Sequence, residues 1–257
     1  VFVAVFAAVF AADRAAVSWL RRLGTGEGTS RLVCLPYAGG SGSSYEDWTR
    51  WLPGAVELWA PDLPAREHRM LEEPVEDLDV LVDALADAAC ADDRPASLFG
   101  HSFGALVAFE LARRLRDRSV PVLGLFVSGM AAPQTLVPRR TPTDKEILFD
   151  LRSQGVAPPE LYEQPDLLEL VMPGIRADYA MALGYRYREA PPLTTPVFAL
   201  GGTADHGVPE AGLAAWAEQT RGPCETRLWH GDHMYLRDRA EELSGFVAER
   251  HLRLTGG

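Results

Sequence analysis

Apolar residues along this chain fall in short unbroken runs, and these alternate with longer stretches of helical spacing. Leu32-Val33-Cys34-Leu35, Val56-Glu57-Leu58-Trp59-Ala60, Ala96-Ser97-Leu98-Phe99, Pro121 to Val127, Pro196-Val197-Phe198-Ala199-Leu200 and Glu225-Thr226-Arg227-Leu228-Trp229 have the length of strands. Val75, Leu78, Leu81, Val82, Leu85 and Ala89 recur at helical spacing and predict one packed helix. Ala105 to Leu115 is apolar on nearly every face and predicts a buried helix; Leu243, Phe246, Val247 and Leu254 predict a closing one. Strands that alternate with helices give an α/β fold with a mostly parallel sheet covered on both faces.

Two tracts break this rhythm. Residues 131–192 are rich in proline and hold three short amphipathic pieces, Ile147–Leu151, Leu167–Met172 and Ile175–Leu183. At the other extreme, Val1 to Ala12 is nearly all Val, Phe and Ala. It is too short to span a bilayer, which takes roughly 20 residues, and it lacks the basic start of a secretory signal. A disordered N-terminal extension over residues 1–16 is expected, with one domain over 17–257 and no membrane association.

Composition narrows the function. A chain of 257 residues suffices for one large α/β domain, and a mean hydropathy of −0.06 is that of a globular protein. The net charge of −11 argues against a nucleic acid partner. Cys34, Cys90 and Cys224 are odd in number and widely spaced, without a CxxC or Cys/His pattern. Reduced thiols in a cytoplasmic protein, and no metal, are the expectation.

Chemistry enters at Gly100-His101-Ser102-Phe103-Gly104, a G-x-S-x-G set between a buried strand and a buried helix. That context makes it the nucleophile elbow of an α/β-hydrolase, with Ser102 as nucleophile. A serine needs a base and an orienting acid, and in this fold they follow in the order Ser, acid, His. His206, His230 and His233 lie in the tract that could hold the base. His233 is favoured over His230 because Gly231 supplies a bend that lifts the following residues over the sheet. Asp205, just past the run ending at Leu200, occupies a strand end and is the chosen acid. Asp232 neighbours His233 too closely in sequence, and Asp62 is out of order. Oxyanion donors are expected from the backbone N–H of Phe103 and of Ala38, the latter in the loop Pro36 to Gly42. No phosphate-binding glycine pattern occurs.

Pro36-Tyr37-Ala38-Gly39-Gly40, Gly100 to Ala105, Gly201-Gly202-x-x-Asp205 and Gly231 to Leu236 together resemble the successive motifs of the type II thioesterases. These are the editing enzymes of polyketide and nonribosomal peptide assembly lines. Leu63 to Arg69 is similar to the family's Pro-Gly-Arg-Glu segment, with Ala65 where glycine is usual; Pro173 to Tyr179 resembles its Leu-Arg-Ala-Asp-Phe segment. Phe103 stands where methionine is commoner. The likeness runs from about Trp19 to the C-terminal helix. It implies a helical lid over residues 131–192, no bound cofactor, and a substrate acyl group carried on the phosphopantetheine arm of a carrier protein. A monomer is expected. A carboxylesterase or an acyltransferase would use the same three residues, and a non-catalytic binding protein would not need them. Arg139, Arg140, Arg176, Arg186 and Arg188 are candidates for a basic docking patch despite the overall negative charge.

Overall fold

The computed structural model describes residues 18–156 and 159–256; the expected extension over residues 1–16 lies outside them. β1 (Leu20–Leu23), β2 (Ser30–Leu35), β3 (Val56–Pro61), β4 (Ala96–His101), β5 (Leu125–Ser128), β6 (Val197–Gly202) and β7 (Cys224–Trp229) form one sheet. Its order is β1-β3-β2-β4-β5-β6-β7. Only the β1–β3 pair is antiparallel; the other pairings are parallel. The expected mostly parallel sheet is therefore observed. Every residue of β2, β5 and β6 is buried, which is why Leu32–Leu35, Leu125–Val127 and Val197–Leu200 run apolar without alternation.

One face of the sheet is covered by α1 (Leu78–Cys90) and α2 (Phe103–Asp117). Leu81, Leu85, Leu106 and Phe109 pack there against Leu98 and Val127. The other face is covered by a 3₁₀ segment, Gly42–Arg50, and by the C-terminal helix, with Tyr45, Trp48, Phe99, Phe126, Phe198 and Phe246 in its core. The helix α1 starts three residues later than the apolar spacing suggests. Asp77 caps it by accepting from the Asp79 and Val80 N–H groups, which fixes the entry after Pro74.

The segment between β5 and β6 folds as α3 (Asp144–Ser153) and α4 (Pro165–Gly184). They share a small core of Ile147, Leu151, Met172 and Ile175. The two expected pieces on either side of Pro173 are in fact one helix. Proline deletes a helical hydrogen bond, but the buried stripe Met172, Gly174, Ile175, Ala177, Asp178 and Met181 runs through it. Packing across the proline outweighs the lost bond. The remaining helices, α5 (Glu210–Ala214), α6 (Tyr235–Asp238) and α7 (Ala240–Thr255), follow β6 and β7. Among the described residues no helix is long and apolar enough to cross a membrane.

Candidate active site

Ser102 sits between the end of β4 and the first turn of α2 with φ +53° and ψ −121°, a backbone conformation that is strained for any residue but glycine. Its N–H is held by the carbonyl of Ser128, 2.7 Å away on β5. The flanking glycines are required by space. A Cβ on Gly100 would lie 2.0 Å from the Gly104 carbonyl oxygen, and one on Gly104 would lie 2.1 Å from that of Leu35. Strand and helix are thereby brought close enough for the turn to be this tight.

Asp205 leaves the end of β6, and His233 leaves the end of β7 after Gly231, whose φ is +149°. His233 Nδ1 lies 2.7 Å from Asp205 Oδ2. The second carboxylate oxygen accepts the Gly207 N–H at 3.0 Å. The aspartate side chain is 3% exposed and that of the histidine 17%. Because an ionised carboxylate can only accept, Nδ1 carries the proton and Nε2 of the neutral ring is left as a base. The rivals are placed elsewhere. His230 is exposed, and Asp232 Oδ1 is occupied by the Met234 N–H at 2.8 Å, closing a local turn. Asp62 lies beside His68, away from the cavity.

Ser102, Asp205 and His233 line one cavity of about 950 Å³, and Ala38 and Phe103 line it too. Among the described residues the backbone N–H groups of Ala38 and Phe103 have no acceptor within the protein. Met130, Leu136, Val137, Tyr179, Ala182 and Leu183 give the cavity an apolar wall drawn mostly from the segment between β5 and β6.

Residues to which the sequence assigned no role also meet here. His101 is fully buried, its Nδ1 2.8 Å from Ser128 Oγ, which is in turn 2.6 Å from the Tyr235 hydroxyl. Burial pushes the His101 pKa well down, and the nearby His233 charge adds to this. It therefore stays neutral beneath His233 and puts no second cation there. The signal was present, since His101 and Tyr235 lie inside the motifs that hold Ser102 and His233.

Of the candidate docking arginines, Arg140 pairs with Glu146, Arg176 with Asp144 at 2.7 Å and Arg188 with Asp79 at 2.5 Å. Among the described residues one trio, Asp62, Glu67 and His68, brings three potential metal-ligating atoms together. It does not line the cavity, and the Glu67 carboxylate is already engaged by Arg21, Ser41 and Ser43.

A thioesterase-domain family model matches residues 30–250. The chain belongs to the thioesterase family. It is 38% identical over 247 residues to thioesterase PikA5 of Streptomyces venezuelae, a match covering 93% of this chain and 87% of that protein. It is 34% identical over 229 residues to the gramicidin S biosynthesis protein GrsT of Aneurinibacillus migulanus, covering 87% and 89% respectively. Among solved structures it is similar to the type II thioesterase BorB from the borrelidin biosynthetic cluster. That similarity has a TM-score of 0.84 and 34% identity, and covers 93% of this chain and all of that one. This thioesterase thus shares fold and family with enzymes named as type II thioesterases.

Proposed function

We propose that this thioesterase hydrolyses acyl thioesters from the phosphopantetheine arms of carrier proteins, and that it edits stalled or wrongly loaded acyl groups in an assembly line. The observation that carries the reading is the Asp205–His233 pair on the wall of the cavity that Ser102 enters from its strained turn. The names of the relatives, which tie them to gramicidin S and borrelidin biosynthesis, support the substrate class. The segment over residues 131–192 acts as a lid, because it supplies one wall of that cavity.

In this mechanism His233 Nε2 takes the proton of Ser102 as its Oγ attacks the thioester carbonyl. The Ala38 and Phe103 N–H groups bind the oxyanion of the tetrahedral intermediate. Asp205 orients the imidazole and steadies the imidazolium. Collapse expels the thiolate, which takes the proton from His233 and leaves an acyl-serine. Water then gives a proton to His233 and attacks the acyl carbonyl. The second tetrahedral intermediate collapses to free acid as His233 returns that proton to Ser102 Oγ, which restores both residues. None of these steps calls for a metal or an organic cofactor of the protein's own.

The discriminating experiment compares hydrolysis of an acyl-carrier protein with that of a p-nitrophenyl ester of the same acyl group. A higher kcat/KM on the carrier-bound thioester supports the proposal. Preference for the free ester would make the protein a carboxylesterase, and acyl transfer to an added alcohol or amine in place of hydrolysis would make it an acyltransferase.

A further inference from the structure

We propose that Arg66 and Asp178 are positioning residues that hold the Ala38 N–H in the direction of the oxyanion. The inference rests on the thioesterase site described above and adds the side chains that aim one of its donors.

Three peptide units around Ala38 are each gripped at a different point. The Tyr37 carbonyl accepts the Gly40 N–H at 2.8 Å, closing a turn in which Gly39 has φ +76°. The Gly39 N–H donates to Asp178 Oδ2 at 2.8 Å. The Gly40 carbonyl accepts from Arg66 Nη1 at 2.8 Å. The Ala38 N–H belongs to the same planar unit as the Tyr37 carbonyl and points the opposite way across it. It cannot swing without breaking the Tyr37–Gly40 bond or turning the Ala38–Gly39 unit away from Asp178. The direction of the donor is therefore set by two side chains distant in sequence.

Those side chains are built for the purpose. Asp178 is 2% exposed on the buried stripe of α4. Arg66 meets it at both carboxylate oxygens, 2.9 Å from Oδ2 and 3.1 Å from Oδ1. The same guanidinium reaches the carbonyls of Pro64 and Gly174. From the other side Glu67 accepts the Ser41 hydroxyl at 2.6 Å and the Ser43 N–H at 3.2 Å, fixing the end of the loop. Arg66 is presented between Ala65 and Glu67, which have φ +60° and +45°. Two consecutive-but-one residues other than glycine in the left-handed region are strained, and the grip on the loop is what sustains them. The two sequence segments that resembled family motifs without an evident role thus meet at one carboxylate. Because Asp178 belongs to the lid segment, the lid and the oxyanion loop are held as one piece.

The test uses the full chain, an acyl-pantetheine thioester as substrate and an alkyl boronic acid, which forms a tetrahedral anion on the serine. Asp178→Ala is expected to lower kcat by about 10- to 100-fold, less than or equal to the loss from deleting a donor outright. KM should stay within about twofold, since the ground-state carbonyl draws little on the donor. Boronate affinity should fall with kcat, and the pH profile should keep its shape. Asp178→Asn retains an oxygen for the Gly39 N–H and is expected to recover at least half of the loss on a logarithmic scale. Arg66→Lys cannot hold Gly40 and both carboxylate oxygens at once, so it should lower kcat and boronate affinity together, and it carries the test if Asp178→Ala does not fold. An unchanged kcat, or a loss confined to KM, or unchanged boronate affinity in these variants would overturn the proposal. A boronate that binds Ser102→Ala as tightly as the wild type would instead overturn the reading of the site itself.

Discussion

His101 and His233 lie ring against ring, centroids 5.0 Å apart and planes inclined by 49°, yet their environments assign them opposite behaviour. His101 is fully buried and held neutral. His233 has its side chain partly open to the cavity and its Nδ1 committed to Asp205. A neutral neighbour lets His233 take a proton without a second positive charge against it. The Gly100–Gly104 motif therefore holds, one residue before Ser102, the neutral ring that lies beside His233.

Ser102→Ala is expected to abolish thioester hydrolysis, by roughly 10⁴-fold or more, with the fold intact by circular dichroism. His233→Ala should be nearly as damaging. Asp205→Asn should cost less, because the Gly207 N–H and neighbouring groups still orient the loop. His230→Ala, at an exposed position, should keep wild-type turnover. Loss of activity in His230→Ala with retention in His233→Ala would reassign the base.

The glycines of the elbow should be intolerant of a single methyl group. In Gly104→Ala the new Cβ would fall 2.1 Å from the Leu35 carbonyl oxygen, and in Gly100→Ala 2.0 Å from that of Gly104. Backbone on both sides has nowhere to move, so each should destabilise by about 3 kcal/mol or more. That is a fall in Tm of order 5–10 °C for a domain of this size. Gly54→Ala, where a Cβ meets nothing within 4 Å, is the control and should leave Tm nearly unchanged.

What could be read in the chain was whatever has a short-range cause. Buried strands show as continuous apolar runs, and the tight turn at Ser102 leaves its mark as Gly100 and Gly104. The order of Ser102, Asp205 and His233 followed from the fold. Pairings between distant segments leave no such mark. Nothing in Leu63 to Arg69 says that Arg66 will meet Asp178 on α4, more than 100 residues on. Nor does Pro173 announce that the helix passes through it, since that depends on the partners of the buried stripe. The same holds for Arg140, Arg176 and Arg188, whose carboxylate partners are chosen by packing.

Far from the cavity, His251 joins α7 to the sheet. Its Nδ1 lies 2.8 Å from Ser97 Oγ and its Nε2 2.7 Å from Ser30 Oγ, and burial pushes its pKa down to about 4. The unfolded chain takes up this proton near pH 6.5. Between pH 6.5 and 4 the unfolded state therefore binds more protons than the folded one, and stability falls as pH falls. The contribution is complete above pH 6.5 and totals about 3 kcal/mol at its loss. Denaturant unfolding at pH 7 and pH 4.5 should show a clearly smaller drop for His251→Gln than for the wild type. His101 adds a slope of the same sign, so the variant flattens the dependence without removing it. Equal drops in the two proteins would exclude His251 as a source.

The arginines between β5 and β6 divide into those whose charge is already answered and those whose charge is not. Arg140, Arg176 and Arg188 face Glu146, Asp144 and Asp79, so the proposed docking patch is narrower than the count of arginines suggests. Arg139 lines the cavity, with its backbone N–H on the Leu183 carbonyl at 2.7 Å. No salt bridge of Arg139 occurs among the described residues. On the proposed function, a carrier protein that is acidic around its pantetheine arm, as the resemblance to type II thioesterases implies, would need local positive charge to offset long-range repulsion from a chain of net charge −11. Arg139→Glu is therefore expected to raise KM for an acyl-carrier protein several-fold, with the effect shrinking at high salt. KM for the matching acyl-pantetheine fragment should not change. Arg140→Glu places a carboxylate against Glu146 at an exposed surface pair, where water screens the charges, and should leave Tm and both KM values nearly unchanged. An equal rise on both substrates in Arg139→Glu would mean that this arginine reads the acyl arm inside the cavity, and the carrier protein would then have to be met by another surface.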